Sequence, residues 1–365
     1  MNVTPLMQMH RAHKAKLVDF AGWLMPIHYT GVLDEYYAVR QGAGLFDVSH
    51  MGRLNVAGDQ AEAFLQWVST NDVARLVVGQ AQYSMVCHEA GGILDDIFIY
   101  KTGQAEFLVC VNASNRNKIF KWFQQYQQMK FPQAVIRDQS EELAQLAIQG
   151  PASPALLRKL IGPAVDRLKP RECLPIANNR FSGLLSRTGY TGEVGYEWYL
   201  PAGEAQWSWE QLLKAGEGAQ VKPAGLGARD LLRLDVGYLL YGNDMDEQTT
   251  PLEAGVEWVV AWNKGPFQGH PTLQQQKEKG VTRKLVGFEL MERGVPRHDM
   301  AILLDGKMVG KVTSGNFSPI LQKGIGLGSL PPDLCQEGIT LDIDIRGKRI
   351  SAKVVKLPFY KRQKS

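Results

Sequence analysis

The sequence predicts an α+β protein that ends in a separate all-β domain, a barrel or a sandwich. Three observations carry this. Amphipathic helices interleave with strand-like runs that lack a regular βαβ rhythm, which favours mainly antiparallel sheets over a doubly wound one. Beyond about residue 280 the texture changes to short strands separated by Gly, Pro, Asp and Asn. The 365 residues exceed what one core usually organises, so two or three domains are expected.

In chain order, the first strand-like stretch covers 52–56. Asp59 is an N-cap candidate for a helix reaching 68, where apolar residues recur at helical spacing. Strands at 82–87, 93–100 and 107–111 follow. An amphipathic helix over 115–127 carries Ile119, Phe120, Trp122, Phe123 and Tyr126. A strand at 145–149 precedes a helix opened by Ser153-Pro154, an N-cap hydroxyl followed by proline at the first helical position. Helices over 204–215 and 228–236 come next. The terminal domain contributes strands at 285–290, 301–304, 307–312, 340–345 and 350–355. No internal repeat interrupts the series.

Composition narrows the function classes. No apolar run reaches the length of a membrane span, and the N-terminal residues lack an apolar signal core, so a cytoplasmic protein is expected. The net charge of +4 is mild, and the basic cluster Lys361-Arg362-Gln363-Lys364 is too sparse for a nucleic-acid interface. A modest positive balance suits an anionic small ligand or an acidic protein partner. The four cysteines show no Cys-x-x-Cys spacing, which predicts reduced, mostly buried thiols and no metal site.

The most informative segment is Gly91-Gly92-Ile93-Leu94-Asp95-Asp96-Ile97-Phe98-Ile99-Tyr100. A turn leads into a run suited to a buried strand, yet the run holds two adjacent carboxylates. Alternation puts Asp96 on the face of Leu94, Phe98 and Tyr100, and Asp95 on the face of Ile93, Ile97 and Ile99. Burial argues that at least one of the two works chemically, without choosing between them.

Further motifs bear on ligand binding. In the 186–198 segment, glycines 189, 192 and 195 permit positive φ or a close backbone approach to a ligand, and Glu197 lies between Tyr196 and Trp198. A carboxylate held there can accept two parallel hydrogen bonds from an amidine- or guanidine-like edge, or it can pair with an arginine elsewhere. Arg229 and Arg233, four residues apart on a helix, could meet a ligand carboxylate or a structural one. The Gly225-Leu226-Gly227 turn lacks the third glycine of a dinucleotide loop. The acids Asp244, Asp246 and Glu247 do not match a calcium loop and read as solvated or structural. Residues 313–319 read as a tight polar turn. His50 lacks a nucleophile partner and reads as a satisfied, semi-buried histidine.

Seven blocks taken together, in order, carry a resemblance. They are Asp19-Phe20-Ala21-Gly22-Trp23, Phe46-Asp47-Val48-Ser49-His50-Met51-Gly52, Gly91-Gly92-Ile93-Leu94-Asp95-Asp96, Arg187-Thr188-Gly189-Tyr190-Thr191-Gly192-Glu193, Gly225-Leu226-Gly227-Ala228-Arg229-Asp230, Tyr241-Gly242-Asn243-Asp244-Met245-Asp246-Glu247 and Thr313-Ser314-Gly315-Asn316-Phe317-Ser318-Pro319. The chain resembles the aminomethyltransferase, or T protein, of the glycine cleavage system over nearly its whole length. The resemblance implies three domains around a central channel: 1–52 with 139–245 and 53–138 with 246–279 as interleaved α+β domains, and 280–365 as a β-barrel. It implies transfer of a methylene from the aminomethyl group on lipoylated H protein to tetrahydrofolate. The products would be 5,10-methylenetetrahydrofolate, ammonia and dihydrolipoyl H protein, with the P and L proteins acting in the same pathway. No metal, nucleic acid or membrane is implied.

By the same resemblance Asp96 is the catalytic carboxylate and Glu197 grips the 2-amino-4-oxo edge of the pterin. Met51, Tyr83, Tyr100, Asn112, Tyr190, Arg229 and Tyr238 complete the pocket. Because the carbon acceptor is an amine, a carboxylate can orient it, accept its proton and stabilise a cationic intermediate. Three alternatives share the fold. A folate-binding protein of iron–sulfur cluster maintenance would carry a Lys-Gly-Cys-Tyr-type motif, whereas Cys173 lies in Arg171-Glu172-Cys173-Leu174-Pro175. The folate domain of a sarcosine or dimethylglycine dehydrogenase would need an attached dinucleotide-binding domain. A folate-dependent demethylase is separated less sharply.

Overall fold

The protein was analysed as a computed structural model that describes residues 1–178 and 180–362; Gln363 and Lys364 of the basic tail lie outside the described residues. Its internal contacts define two compact units. One comprises Met1–Ser84 and Asp96–Arg229, and the other comprises Met85–Asp95 and the chain from Asp230 onward.

In the first unit a six-stranded sheet runs in the order Cys173–Ala177, Ser182–Ser186, Gly195–Pro201, Leu143–Gln149, Ala43–Asp47 and Val221–Pro223. Its pairings are antiparallel except the last, which is parallel. Alternation places Leu146, Ile148, Trp198 and Leu200 in one core with Leu157, Trp209 and Leu212 from the helices Ser153–Ile161 and Ala205–Ala215. A five-stranded sheet, of which residues 85–87 and 93–95 count with the other unit, orders Ala81–Cys87, Ile93–Gly103, Glu106–Val111, Gly52–Ala57 and Val135–Asp138. The helices Ala61–Val68 and Arg116–Lys130 meet through Phe64 and Phe123, edge to face at 5.2 Å.

In the second unit the strands Lys284–Leu290, Lys323–Leu330, Lys307–Ser318, Ala301–Leu304, Thr340–Ile345 and Lys348–Val355 form a closed barrel, the first pairing with the last. Phe288, Ile302, Ile343 and Ile350 fill its core. The expected α+β class with a terminal all-β domain is therefore what folds, and the choice between barrel and sandwich resolves to a barrel.

Several local expectations need correction. Asp59 does not cap its helix: the N-cap is Gln60, whose side-chain oxygen instead accepts from the Gln133 amide at 2.9 Å. Ser153 lies inside its helix, with Ala152 at the N-cap, and its hydroxyl donates to the Val194 carbonyl at 3.3 Å. Residues 313–318 are not a turn but the second half of a long strand, Lys307–Ser318, bulged between Val312 and Ser314. Of the acids at 244–247, Asp244 is buried. It pairs with Arg233 at 2.8 Å and accepts from Thr313, Ser314 and the Leu240 amide. That ion pair gives Arg233 a structural partner. Among the described residues no helix is long and apolar enough to cross a membrane.

Candidate active site

Asp96 sits on the strand Ile93–Gly103, and it is half-buried with a donor on each carboxylate oxygen. Tyr83, from the strand Ala81–Cys87, donates its phenol to Oδ2 at 2.9 Å. Asn112, just past the strand Glu106–Val111, donates its amide to Oδ1 at 2.6 Å. Removal from water pushes the Asp96 carboxyl up to about 6, with these two hydrogen bonds pulling the other way. The group is thus mostly ionised near neutrality, yet can hold a proton at little cost. Asp95 is completely buried on the opposite side of the strand.

The face of Asp96 continues as an aromatic row. Tyr83 lies 5.8 Å from Phe98, Phe98 lies 5.6 Å from Tyr100, and Tyr100 lies 5.3 Å from Tyr199 between ring centroids. Met51 packs on the same cluster. Tyr100 leads to the second carboxylate. Glu197 accepts from the Thr188 hydroxyl at 2.5 Å on Oε2 and from the Gln145 amide at 3.2 Å on Oε1. Tyr100 hydrogen-bonds Thr188 at 3.3 Å and accepts from Tyr199 at 3.0 Å, while Tyr199 accepts from Gln145 at 3.2 Å. Neutral donors, rather than the arginine weighed above, hold the acid.

The glycine-rich loop packs closely on Gln149, and Gly192 takes the positive φ that the sequence allowed. A Cβ at Gly189 or Gly195 would come within 2.0 or 2.4 Å of the Gln149 side chain, which bridges the Thr188 and Tyr196 carbonyls and accepts from Thr191. Arg40 anchors the same loop through Glu193 and the Thr191 carbonyl, both at 2.8 Å.

Arg229 lies over the Tyr190 ring at 4.7 Å, and its buried Nη1 has no hydrogen-bond partner. A cation with an open donor in an aromatic setting suits an anionic or carbonyl ligand group. His50 departs from expectation: it is buried rather than semi-buried, and its Nδ1 is unpartnered. Burial, with Arg229 and Arg53 nearby, pushes the imidazole down to about 3, so it stays neutral. Arg53 is buried and donates to the carbonyls of Ser49, Met51, Ser140 and Leu143. Tyr238 belongs to the second unit, where it is 43% exposed and its carbonyl accepts from Arg233 at 3.0 Å.

Of the nine site residues read from the sequence, the structure gathers Asp96, Tyr83 and Asn112 into one cluster, with Met51 and Tyr100 along the row that joins it to Glu197. Arg229 and Tyr190 form a separate pair. Sequence reasoning did not single out Gln145, Thr188 and Tyr199, which the structure links to Glu197 by hydrogen bonds. A signal existed for Tyr199, which shares the strand face of Glu197 at i+2 and pairs directly with Gln145. Cys173 is buried, and its thiol is pushed up to about 12, mainly by burial, which makes it an inert thiol.

Comparison with known proteins gives the family of the chain. The GCVT N-terminal domain family matches residues 6–264, and the glycine cleavage T-protein C-terminal barrel domain family matches 283–361. An aminomethyltransferase of Desulfitobacterium hafniense (strain DSM 10664 / DCB-2) is 46% identical over 360 residues, covering 99% of this chain and 98% of the relative. One from Bacillus subtilis (strain 168) is 42% identical over 361 residues, covering 98% and 99%. The crystal structure of glycine cleavage system aminomethyltransferase T from Bartonella henselae superposes with a TM-score of 0.93 at 34% identity, covering 99% of this chain and 98% of that one. The chain belongs to the aminomethyltransferase (T-protein) family of the glycine cleavage system and is a transferase.

Proposed function

We propose that this transferase moves the methylene of an aminomethyl group, carried on the lipoyl arm of H protein, to tetrahydrofolate. The products are 5,10-methylenetetrahydrofolate, ammonia and dihydrolipoyl H protein. The observation that carries the reading is the state of Asp96: a carboxylate raised to about 6 and aimed by Tyr83 and Asn112. Such a group orients an amine and takes its proton near neutral pH, where an ordinary carboxylate would be a poorer base. Glu197, with one protein donor on each oxygen, keeps further lone pairs for a bidentate pterin edge. Arg229 and Tyr190 offer a cationic, aromatic surface to the remainder of the folate. The reaction calls for partner proteins, namely H protein and, through the pathway, the P and L proteins, in a cytoplasmic setting by this reading. The test supplies tetrahydrofolate and aminomethyl-loaded H protein and follows methylenetetrahydrofolate and ammonia together. Stoichiometric appearance of both is expected; absence of both with active partner proteins overturns the reading.

A further inference from the structure

We infer that Tyr199, Gln145 and Thr188 are positioning residues that, with Tyr100, close a hydrogen-bonded ring fixing Glu197 as an acceptor-only carboxylate, so that the site selects a ligand edge presenting two N–H donors. This rests on Glu197 being the acid that binds the pterin.

The direction of every proton in the ring follows from its members. The Gln145 amide nitrogen only donates, and it reaches both Tyr199 Oη and Glu197 Oε1 at 3.2 Å. The other end of the amide, Gln145 Oε1, accepts from the Cys110 thiol at 3.6 Å, which leaves the nitrogen facing the Glu197 carboxylate. Tyr199, having accepted, donates to Tyr100 at 3.0 Å. Thr188 Oγ1 also lies 3.2 Å from Ser186 Oγ, but its single proton goes to the much shorter contact with Glu197 Oε2 at 2.5 Å, so Tyr100 donates to it at 3.3 Å. Burial raises both phenols well above their ordinary value, so both remain donors near neutrality.

Backbone register builds this ring. Glu197 and Tyr199 share one face of Gly195–Pro201, and Tyr199 lies opposite Gln145 on Leu143–Gln149. Tyr100 arrives from Ile93–Gly103, and Tyr100, Tyr199, Gln145 and Thr188 are all buried. Both ring partners of Glu197 donate to it, one on each oxygen, so a ligand edge meeting this carboxylate finds acceptor lone pairs. Ligands offering an acceptor at this edge therefore leave a buried group unpaired, which is the costly direction of discrimination.

The inference is tested by titrating the full-length protein with tetrahydrofolate in a calorimeter, comparing wild type, Tyr199→Phe, Glu197→Gln and the double variant. Tyr199→Phe is expected to raise Kd about 10-fold, with the loss in turnover assays falling on KM, and Glu197→Gln to raise it further. In the Glu197→Gln background, Tyr199→Phe should add less than about twofold, the coupling expected of residues acting through one another. Thr188→Val gives an independent second entry to the same cycle if Tyr199→Phe melts early. Unchanged affinity in Tyr199→Phe and Thr188→Val, or the same fold-loss with and without Glu197, overturns the inference by reducing the ring to packing. Unchanged affinity in Glu197→Gln alone overturns the assignment of Glu197 itself.

Discussion

Asn112 holds Asp96 at two oxygens with one amide group: the side-chain Oδ1 at 2.6 Å and the main-chain carbonyl at 3.2 Å. The carboxylate is thereby fixed in direction as well as supplied with a partner. Asn112→Leu should lower kcat about 10-fold or more, as misaimed proton-transfer groups do. Because the lost hydrogen bond favours the ionised form, the acid limb of the pH–kcat profile should move to higher pH. An unmoved limb would show that Asn112 does not tune Asp96.

The raised value at Asp96 has a sign that can be checked by stability. The folded-state value of about 6 exceeds the ordinary 3.8, so folding disfavours ionisation. The destabilisation is absent below the unfolded value, grows between the two, and is complete above about pH 6. Asp96→Asn should therefore cut turnover on the order of 10²-fold while gaining about 1–2 kcal/mol at pH 7.5, a gain that vanishes near pH 4. Urea denaturation at the two pH values measures it.

Asp47 behaves in the opposite sense. Burial would raise its carboxyl, but His10 at 2.8 Å, Thr4 at 2.6 Å and the Ser49 amide at 2.9 Å hold it below the ordinary value. Its contribution is present above that value and is lost as pH falls through the depressed one. Tyr29 hydrogen-bonds the other His10 nitrogen at 2.9 Å, so the cluster ties residues 4, 10, 29 and 47 together. Asp47→Asn should cost about 3–5 kcal/mol at neutral pH, read as a lower urea midpoint at constant m.

Gly92 is constrained by space. A Cβ there would stand 1.8 Å from the Glu247 carbonyl oxygen and 2.4 Å from His88 Nε2, two atoms that are hydrogen-bonded to each other at 2.8 Å. Gly92→Ala should lower the melting temperature by several degrees, whereas Gly242→Ala, with open space but positive φ, should cost only about 1 kcal/mol. Equal effects would contradict the steric account.

Apolar, β-branched stretches such as 93–100 and 340–345 were legible as strands because propensity and burial agree there. The strand Lys323–Leu330 was not, because Gly324, Gly326 and Gly328 carry no strand signal. Their smallness answers to partners distant in sequence: a Cβ at Gly326 would meet Phe288 at 2.4 Å, and one at Gly328 would meet Ile302 at 2.5 Å. Glu197, and Asp95 and Asp96 as a pair, stood out because a carboxylate in an apolar strand is anomalous; the choice of Asp96 over Asp95 came from the family resemblance. Gln145 was not legible, because only the pairing of its strand reveals that it faces Tyr199.

The Arg53 guanidinium has a consequence for how such a site can diversify. Its grip on Ser49, Met51, Ser140 and Leu143 is made through main-chain oxygens, which every amino acid supplies. The side chains at positions 49, 51, 140 and 143 can therefore change while the loop keeps its course, because one guanidinium holds the path of the chain whatever those neighbours become.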